Sequence, residues 1–147
     1  MEIRNIRHTG IVVNNLKKSL YFYHDLLGFK VKKRMLEKGK ATDKLSNLNK
    51  VNIETVKLDI GKKNGMIELL YFHSHKRKNK DIKYNISKIG ISHFAVTVNN
   101  LQKLYTKLKA HKIKFICKPI YSNDKKVKLT FCRAPEGTLI EMVREMK

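Results

Sequence analysis

The stretch Ile91-Ser92-His93-Phe94-Ala95-Val96-Thr97-Val98-Asn99-Asn100-Leu101 sets the architecture, because it repeats an earlier one, Ile6-Arg7-His8-Thr9-Gly10-Ile11-Val12-Val13-Asn14-Asn15-Leu16. Both copies read apolar, x, His, two variable positions, a β-branched run, then Asn-Asn-Leu. A second echo closes each half: Met66-Ile67-Glu68-Leu69-Leu70 and Leu139-Ile140-Glu141-Met142-Val143. The repeat therefore supplies two histidines and two glutamates.

Working outward, Ile3 to Val13 alternates as a half-buried strand does, with Ile6, His8, Gly10 and Val12 on one face and Ile11 and Val13 on the other. Asn14 or Asn15 is a good N-cap. Leu16, Leu20, Tyr23 and Leu27 then recur at helical spacing, and Gly28 supplies the left-handed position that ends the helix. Phe29 to Glu37 reads as a strand with Phe29, Val31 and Lys33 on one side. Gly39 to Asn49 is polar, anchored by Leu45 and Leu48, and reads as a short helix or a lid over the sheet. Val51 to Ile60 and Met66 to Phe72 read as strands joined by a hairpin turn at Gly61-Lys62-Lys63-Asn64-Gly65. On the last strand Met66, Glu68, Leu70 and Phe72 share a face, where a lone carboxylate needs a partner.

The second half replays this order. Ile91, His93, Ala95 and Thr97 form one strand face, Asn99 with Gln102 resembles a capping box, and Leu101, Leu104, Tyr105 and Leu108 make the helical stripe. Ile113 to Cys117, Val127 to Cys132 and Thr138 to Val143 read as strands, with a loop at Lys118 to Lys126 and a turn at Ala134-Pro135-Glu136-Gly137. Each half is β, α, β, β, β. The expected organisation is a first module at residues 1–75, a polar linker at 76–88 and a second module at 89–147. His73 and His75, set among Lys76, Arg77 and Lys78, read as solvated rather than metal-binding.

A chain of 147 residues with 41% hydrophobic content is long and apolar enough for a proper core. The formal net charge of +21 points first to an anionic partner, yet only six of the 33 basic residues are Arg, and the lysines are scattered through every element. Base-reading surfaces favour clustered Arg forks, so specific nucleic-acid binding is not expected. Cys117 and Cys132 have no CxxC spacing and read as reduced thiols. The N-terminus lacks the apolar core of a signal peptide, and no later run is long enough to span a bilayer; the expected location is cytoplasmic.

Two homologous halves packed side by side bring equivalent strand positions together around a pseudo-twofold axis. His8 then meets His93, and Glu68 meets Glu141. In each half the residue two beyond the His is small, Gly10 or Ala95, which leaves room above the imidazole. Two imidazoles and two carboxylates form an N2O2 set whose charge offsets a divalent ion. Without thiolates it is no structural zinc site, and an octahedral ion keeps two positions for water or substrate. Such an ion chelates two adjacent substrate oxygens and stabilises an enediolate-like intermediate while a nearby carboxylate moves the proton.

These motifs resemble the vicinal oxygen chelate superfamily, which includes lactoylglutathione lyase, methylmalonyl-CoA epimerase, fosfomycin-resistance enzymes, extradiol dioxygenases and bleomycin-binding proteins. The resemblance spans nearly the whole chain. It is carried by His8-Thr9-Gly10-Ile11-Val12-Val13 with Leu16, Phe22-Tyr23 to Leu27-Gly28-Phe29, Ile67-Glu68-Leu69-Leu70, His93-Phe94-Ala95-Val96, and Arg133-Ala134-Pro135-Glu136-Gly137-Thr138-Leu139-Ile140-Glu141. It implies an α+β fold of two βαβββ modules, a cupped mixed sheet with helices on its outer face, paired within one chain or across a homodimer. It implies that His8, Glu68, His93 and Glu141 match ligand positions of lactoylglutathione lyases for a divalent ion (Ni, Co, Zn, Mn or Fe), with Glu141 and Glu68 as the candidates for proton transfer. The sequence departs from the family pattern at Ala134, where Asp is common, and at Lys112, where the second helix usually ends in Gly.

The expected function is a metal-dependent lyase or isomerase of the glyoxalase type, acting on a small molecule such as a glutathione or CoA thiol conjugate. The alternatives are an epimerase resembling methylmalonyl-CoA epimerase and a non-catalytic antibiotic-binding protein on the same fold. An extradiol dioxygenase fits less well, because its ligand set resembles two His and one Glu and leaves Glu68 over.

Overall fold

In the computed structural model, residues 3, 5–61, 65–76, 86–87 and 89–146 are described, and they divide between two units, Met1–Lys80 and Asp81–Lys147. The expected turn at Gly61 to Gly65 and most of the expected linker lie outside the described residues. Each unit is one four-stranded mixed sheet carrying one principal helix.

The first unit runs β1 (Thr9–Val12), α1 (Leu16–Leu20, continuing as a π-helical segment Tyr21–Leu26), β2 (Lys30–Lys38), α2 (Lys40–Ser46), β3 (Asn52–Asp59) and β4 (Met66–Phe72). Its strand order is β1-β4-β3-β2, with β1 parallel to β4 and the other pairs antiparallel. The helix between β1 and the rest of the sheet is what permits that parallel pair. β1 is shorter than the alternation of Ile3 to Val13 predicts: ladder pairing covers Thr9 to Val12 only, and His8 immediately precedes it.

Asn15 is the N-cap of α1, its Oδ1 accepting from the Lys18 N–H at 2.9 Å. The expected helical stripe is rephased. Leu16, Ser19, Phe22, Tyr23 and Leu26 are buried, whereas Leu20 and Leu27 are only half-buried. Wider turns follow from Tyr21 onward, with the Leu27 N–H reaching the Phe22 carbonyl five residues back at 3.0 Å. Gly28 ends the segment at φ 81°. The Tyr23 ring stacks on Phe29 and makes an edge contact with Phe22, and these aromatics are buried, as are Val56, Leu58, Ile67 and Leu69 of the sheet.

Two expectations fail in β2 and the segment after it. A bulge between Val31 and Lys33 pairs Val31 with Leu58 but Lys33 with Lys57, so these two side chains face opposite ways. The Gly39 to Asn49 segment holds α2, yet Leu45 is 89% exposed and anchors nothing. Asp43 does the anchoring instead, its carboxylate accepting from the Lys50 and Val51 N–H groups at 2.9 and 2.8 Å.

The second unit runs β5 (His93–Thr97), α3 (Leu101–Ala110), β6 (Ile120–Tyr121), β7 (Val127–Arg133) and β8 (Leu139–Glu145), in the order β5-β8-β7-β6. The N-cap of α3 is Asn100, not Asn99; its Oδ1 accepts from the Lys103 N–H at 2.9 Å. Leu101 and Leu108 are fully buried with Cys132, Ile140 and Met142, while Leu104 and Tyr105 are half-buried. Ile113 to Cys117 makes a single bridge, Phe115 to Cys132, rather than a strand; the edge strand forms later, within the expected Lys118 to Lys126 loop. The Cys132 thiol is pushed up to about 12 by burial, so it is a packing group, whereas Cys117 is exposed. Among the described residues no helix is long and apolar enough to cross a membrane.

Candidate metal centre

Strand pairing puts each histidine beside its own glutamate. In the first unit Gly10 of β1 is the register partner of Glu68 on β4. His8 lies two residues before Gly10 and shares its face, and its Nε2 is 3.0 Å from Glu68 Oε2. In the second unit Ala95 of β5 is the register partner of Glu141 on β8, and His93 Nε2 is 3.3 Å from Glu141 Oε2. The small residues thus sit directly beside the carboxylates. At Gly10 a side chain has little room: an added Cβ would lie 3.1 Å from Leu70 Cδ1.

The surroundings of the two pairs differ. Across the β3–β4 hairpin Lys57 is opposite Glu68, and its Nζ is 3.5 Å from Oε1. Glu68 is therefore shared between an imidazole and an ammonium, its side chain only 11% exposed. Across the β7–β8 hairpin the matching position is Phe131, opposite Glu141, and its ring meets the His93 ring edge-on at a centroid distance of 5.1 Å. His93 Nδ1 is 2.8 Å from Ser92 Oγ, a hydroxyl that fixes the imidazole and leaves Nε2 toward Glu141. At His8 the preceding residue is Arg7, and Nδ1 is buried without a hydrogen-bond partner among the described residues.

Sequence reading therefore found the four polar residues and missed Lys57, Phe131 and Ser92. The first two were accessible by counting along each antiparallel pair: residues equidistant from the middle of the pair fall opposite one another. Of the four expected ligands, the structure brings together His8 with Glu68 and His93 with Glu141. Among the described residues no group of three or more His, Cys, Asp and Glu side chains is gathered.

The donor chemistry of each pair fits a divalent ion. Two ligand atoms about 2.1 Å from one ion, at angles between 90° and 110°, lie roughly 3.0–3.4 Å apart, and the observed separations are 3.0 and 3.3 Å. Imidazole nitrogen with carboxylate oxygen suits Zn, Mn, Fe, Co or Ni.

His73 and His75 have other roles. His73 Nε2 is 3.1 Å from Glu54 Oε2 and its ring meets Tyr71 edge-on, while His75 Nδ1 is 2.9 Å from Ser74 Oγ.

The fold and both motif echoes place the chain in one family. The sequence model of the Glyoxalase/Bleomycin resistance protein/Dioxygenase superfamily matches residues 5–142, and the chain belongs to that superfamily. It is 25% identical over 149 residues to a lactoylglutathione lyase of Schizosaccharomyces pombe, covering 99% of this chain and 49% of that protein; the chain thus spans about half the length of this curated relative. A glyoxalase family protein from Bacillus cereus superposes with a TM-score of 0.90 at 18% identity, covering 100% of this chain and 97% of that one. Glyoxalase I of Leishmania major superposes with a TM-score of 0.67 at 23% identity, over 97% of this chain and 88% of that one. These likenesses establish the fold.

Proposed function

We propose that the protein is a metal-dependent lyase or isomerase of the glyoxalase type, in which His8, Glu68, His93 and Glu141 hold one divalent ion. The supporting observation is the repetition of one His–carboxylate pair at the same register position of both sheets, with ligand-compatible separations of 3.0 and 3.3 Å. The halves that complete the set belong to one chain or to the two chains of a homodimer. Similarity to a lactoylglutathione lyase favours a carbonyl substrate joined to glutathione or a comparable thiol carrier.

The ion supplies Lewis acidity to two neighbouring substrate oxygens, which lowers the barrier to removing the proton on the adjacent carbon. The chain contributes the rest. His93, fixed by Ser92 and the edge of Phe131, keeps Nε2 aimed at the centre. Glu141 has no lysine opposite it in the β7–β8 register, and its carboxylate, through the oxygen not turned toward His93, is the group that would accept the proton and return it to the neighbouring carbon. Glu68, already bound to Lys57, serves chiefly as a ligand. An epimerase of the methylmalonyl-CoA type needs the same proton removal and differs in delivering a proton to the opposite face of the same carbon, for which the second carboxylate, Glu68, is the candidate donor.

Equilibrium dialysis of chelator-treated protein against Ni, Co, Mn and Zn ions tests this reading. The expected result is one ion per His8–Glu68/His93–Glu141 set, with affinity reduced at least about 100-fold in His93→Ala and in Glu141→Ala while circular dichroism is unchanged. Wild-type protein that takes up none of the four ions overturns it. With metal bound, turnover of the methylglyoxal–glutathione hemithioacetal marks a lyase, whereas α-carbon deuterium exchange in a CoA thioester without that turnover marks an epimerase.

A further inference from the structure

The ammonium beside Glu68 is replaced by Phe131 at the matching register position of the second unit, and it occupies the carboxylate that the proposed centre requires. Lys57 Nζ lies 3.5 Å from Glu68 Oε1, on the opposite side of the carboxylate from the His8 contact. Its side chain is 20% exposed, so the pair is poorly screened by water. Lys33 is the register partner of Lys57 on β2 and shares its face, so two lysines start from neighbouring positions on adjacent strands, Lys57 next to Glu68 and Lys33 one strand further out. Like charges directly opposite on a sheet repel. Glu68 offsets the charge of Lys57 in that pair.

A divalent ion that takes Glu68 consumes this compensation. It must displace the ammonium from Oε1 or share the carboxylate with it, and either way Lys57 and Lys33 are left with positive charge unmatched. An oxyanion is the group that restores balance there. We infer that Lys57 is a specificity-determining residue of the first half-site: a resident cation that weakens metal binding when no anion is present and, once Glu68 is committed to metal, seats an anionic oxygen of the substrate together with Lys33. This rests on the metal-centre reading above and adds a substrate class, molecules that carry a carboxylate, phosphate or similar oxyanion beyond their two chelating oxygens. Metal and oxyanion binding are then linked, each strengthening the other by the same factor.

Equilibrium dialysis with Co ion, in sodium chloride and in sodium sulfate at equal ionic strength, tests the inference on wild type, Lys57→Met, Lys57→Gln and Lys57→Arg. Without sulfate, Lys57→Met and Lys57→Gln are expected to bind the ion about 3–10-fold more tightly than wild type, and Lys57→Arg to stay close to it. Sulfate is expected to tighten the ion about 3-fold or more in wild type and Lys57→Arg, and to leave the two neutral variants unchanged. The two neutral substitutions differ in polarity, so agreement between them separates loss of charge from a packing defect, and a melting curve for each confirms the fold. Neutral variants that bind the ion no better than wild type overturn the inference, and so does a wild type indifferent to sulfate. A wild type that binds no ion overturns both this inference and the metal centre itself. Wild-type binding without any effect of Lys57 leaves the metal centre standing and removes only this inference.

Discussion

Glu68 and Glu141 occupy the same place in their sheets, each beside a small residue on the parallel strand and close to a histidine, but they have opposite neighbours across the hairpin. Lys57 faces the first and Phe131 the second. A cation partner offsets the charge of a carboxylate, whereas an aromatic partner offers packing and no charge. The histidines differ in parallel, His93 anchored through Ser92 and His8 with its Nδ1 unpartnered among the described residues. One repeat unit thus has two different surroundings, the first pair charge-compensated by Lys57 and the second packed against Phe131 and bonded to Ser92.

The largest test of this comparison asks whether the two sheets stand independently. Tyr23 is fully buried in the first unit, and Leu108 is fully buried under the second. Tyr23→Ala should cost about 3–5 kcal/mol and Leu108→Ala about 2–5 kcal/mol. Hydrogen exchange locates the damage. Loss of protection confined to β1 to β4 in Tyr23→Ala, and to β5 to β8 in Leu108→Ala, is the expected pattern of two folding units. Uniform loss across all eight strands in either variant would show a single cooperative core.

A smaller effect separates the helix ends. Gly28 and Lys112 both follow a principal helix and both have positive φ, 81° and 60°. Only glycine adopts that conformation without a Cβ penalty, which is roughly 1–2 kcal/mol for most other residues. Gly28→Ala should therefore lower stability by about 1 kcal/mol, while Lys112→Gly should raise it by about 0.5–1 kcal/mol after the added freedom of the unfolded chain is counted. Urea unfolding of the two variants checks both signs. A stabilised Gly28→Ala or a destabilised Lys112→Gly would mean that these turns are set by contacts other than backbone preference.

What the sequence made legible follows from what kind of signal each feature carries. Strand alternation and the Asn-Asn-Leu caps are local, so the order of elements and the faces of His8, Glu68, His93 and Glu141 could be read from short windows. The departure of Lys112 from Gly was visible for the same reason, and its φ of 60° gives it a physical meaning. Features that depend on phase shifts were not legible. The helix buries Ser19, Phe22 and Leu26 rather than Leu20 and Leu27, and the bulge turns Lys33 toward Lys57; neither leaves a trace in periodicity. Lys57 itself was missed because its importance lies in a cross-strand partner eleven residues away, and its type is the commonest one in a lysine-rich chain.

The smallest expected effect concerns the opposite face of the first sheet. Glu54 of β3 is bound there by the Arg34 guanidinium and by His73, whereas the matching position in the second sheet is Lys128, whose ammonium lies 5.1 Å from the centre of the Tyr121 ring. The Arg34 hydrogen bond holds the Glu54 carboxyl below its usual range, against the opposing effect of burial, with His73 adding to the lowering. A carboxyl lowered in the folded state contributes stability that is fully present above its unfolded value of 4.5 and is lost as pH falls through the lowered folded value. Arg34 is largely exposed, so Arg34→Met should cost only a few tenths of a kcal/mol to about 1 kcal/mol at pH 7. The difference from wild type should hold steady down to about pH 5 and shrink at more acid pH as Glu54 protonates in both proteins. Urea unfolding at pH 7, 5 and 3 measures it. A difference that persists undiminished at pH 3 would assign the role of Arg34 to packing of its aliphatic stem along β2, and the contrast between Glu54 and Lys128 would then be one of shape rather than charge.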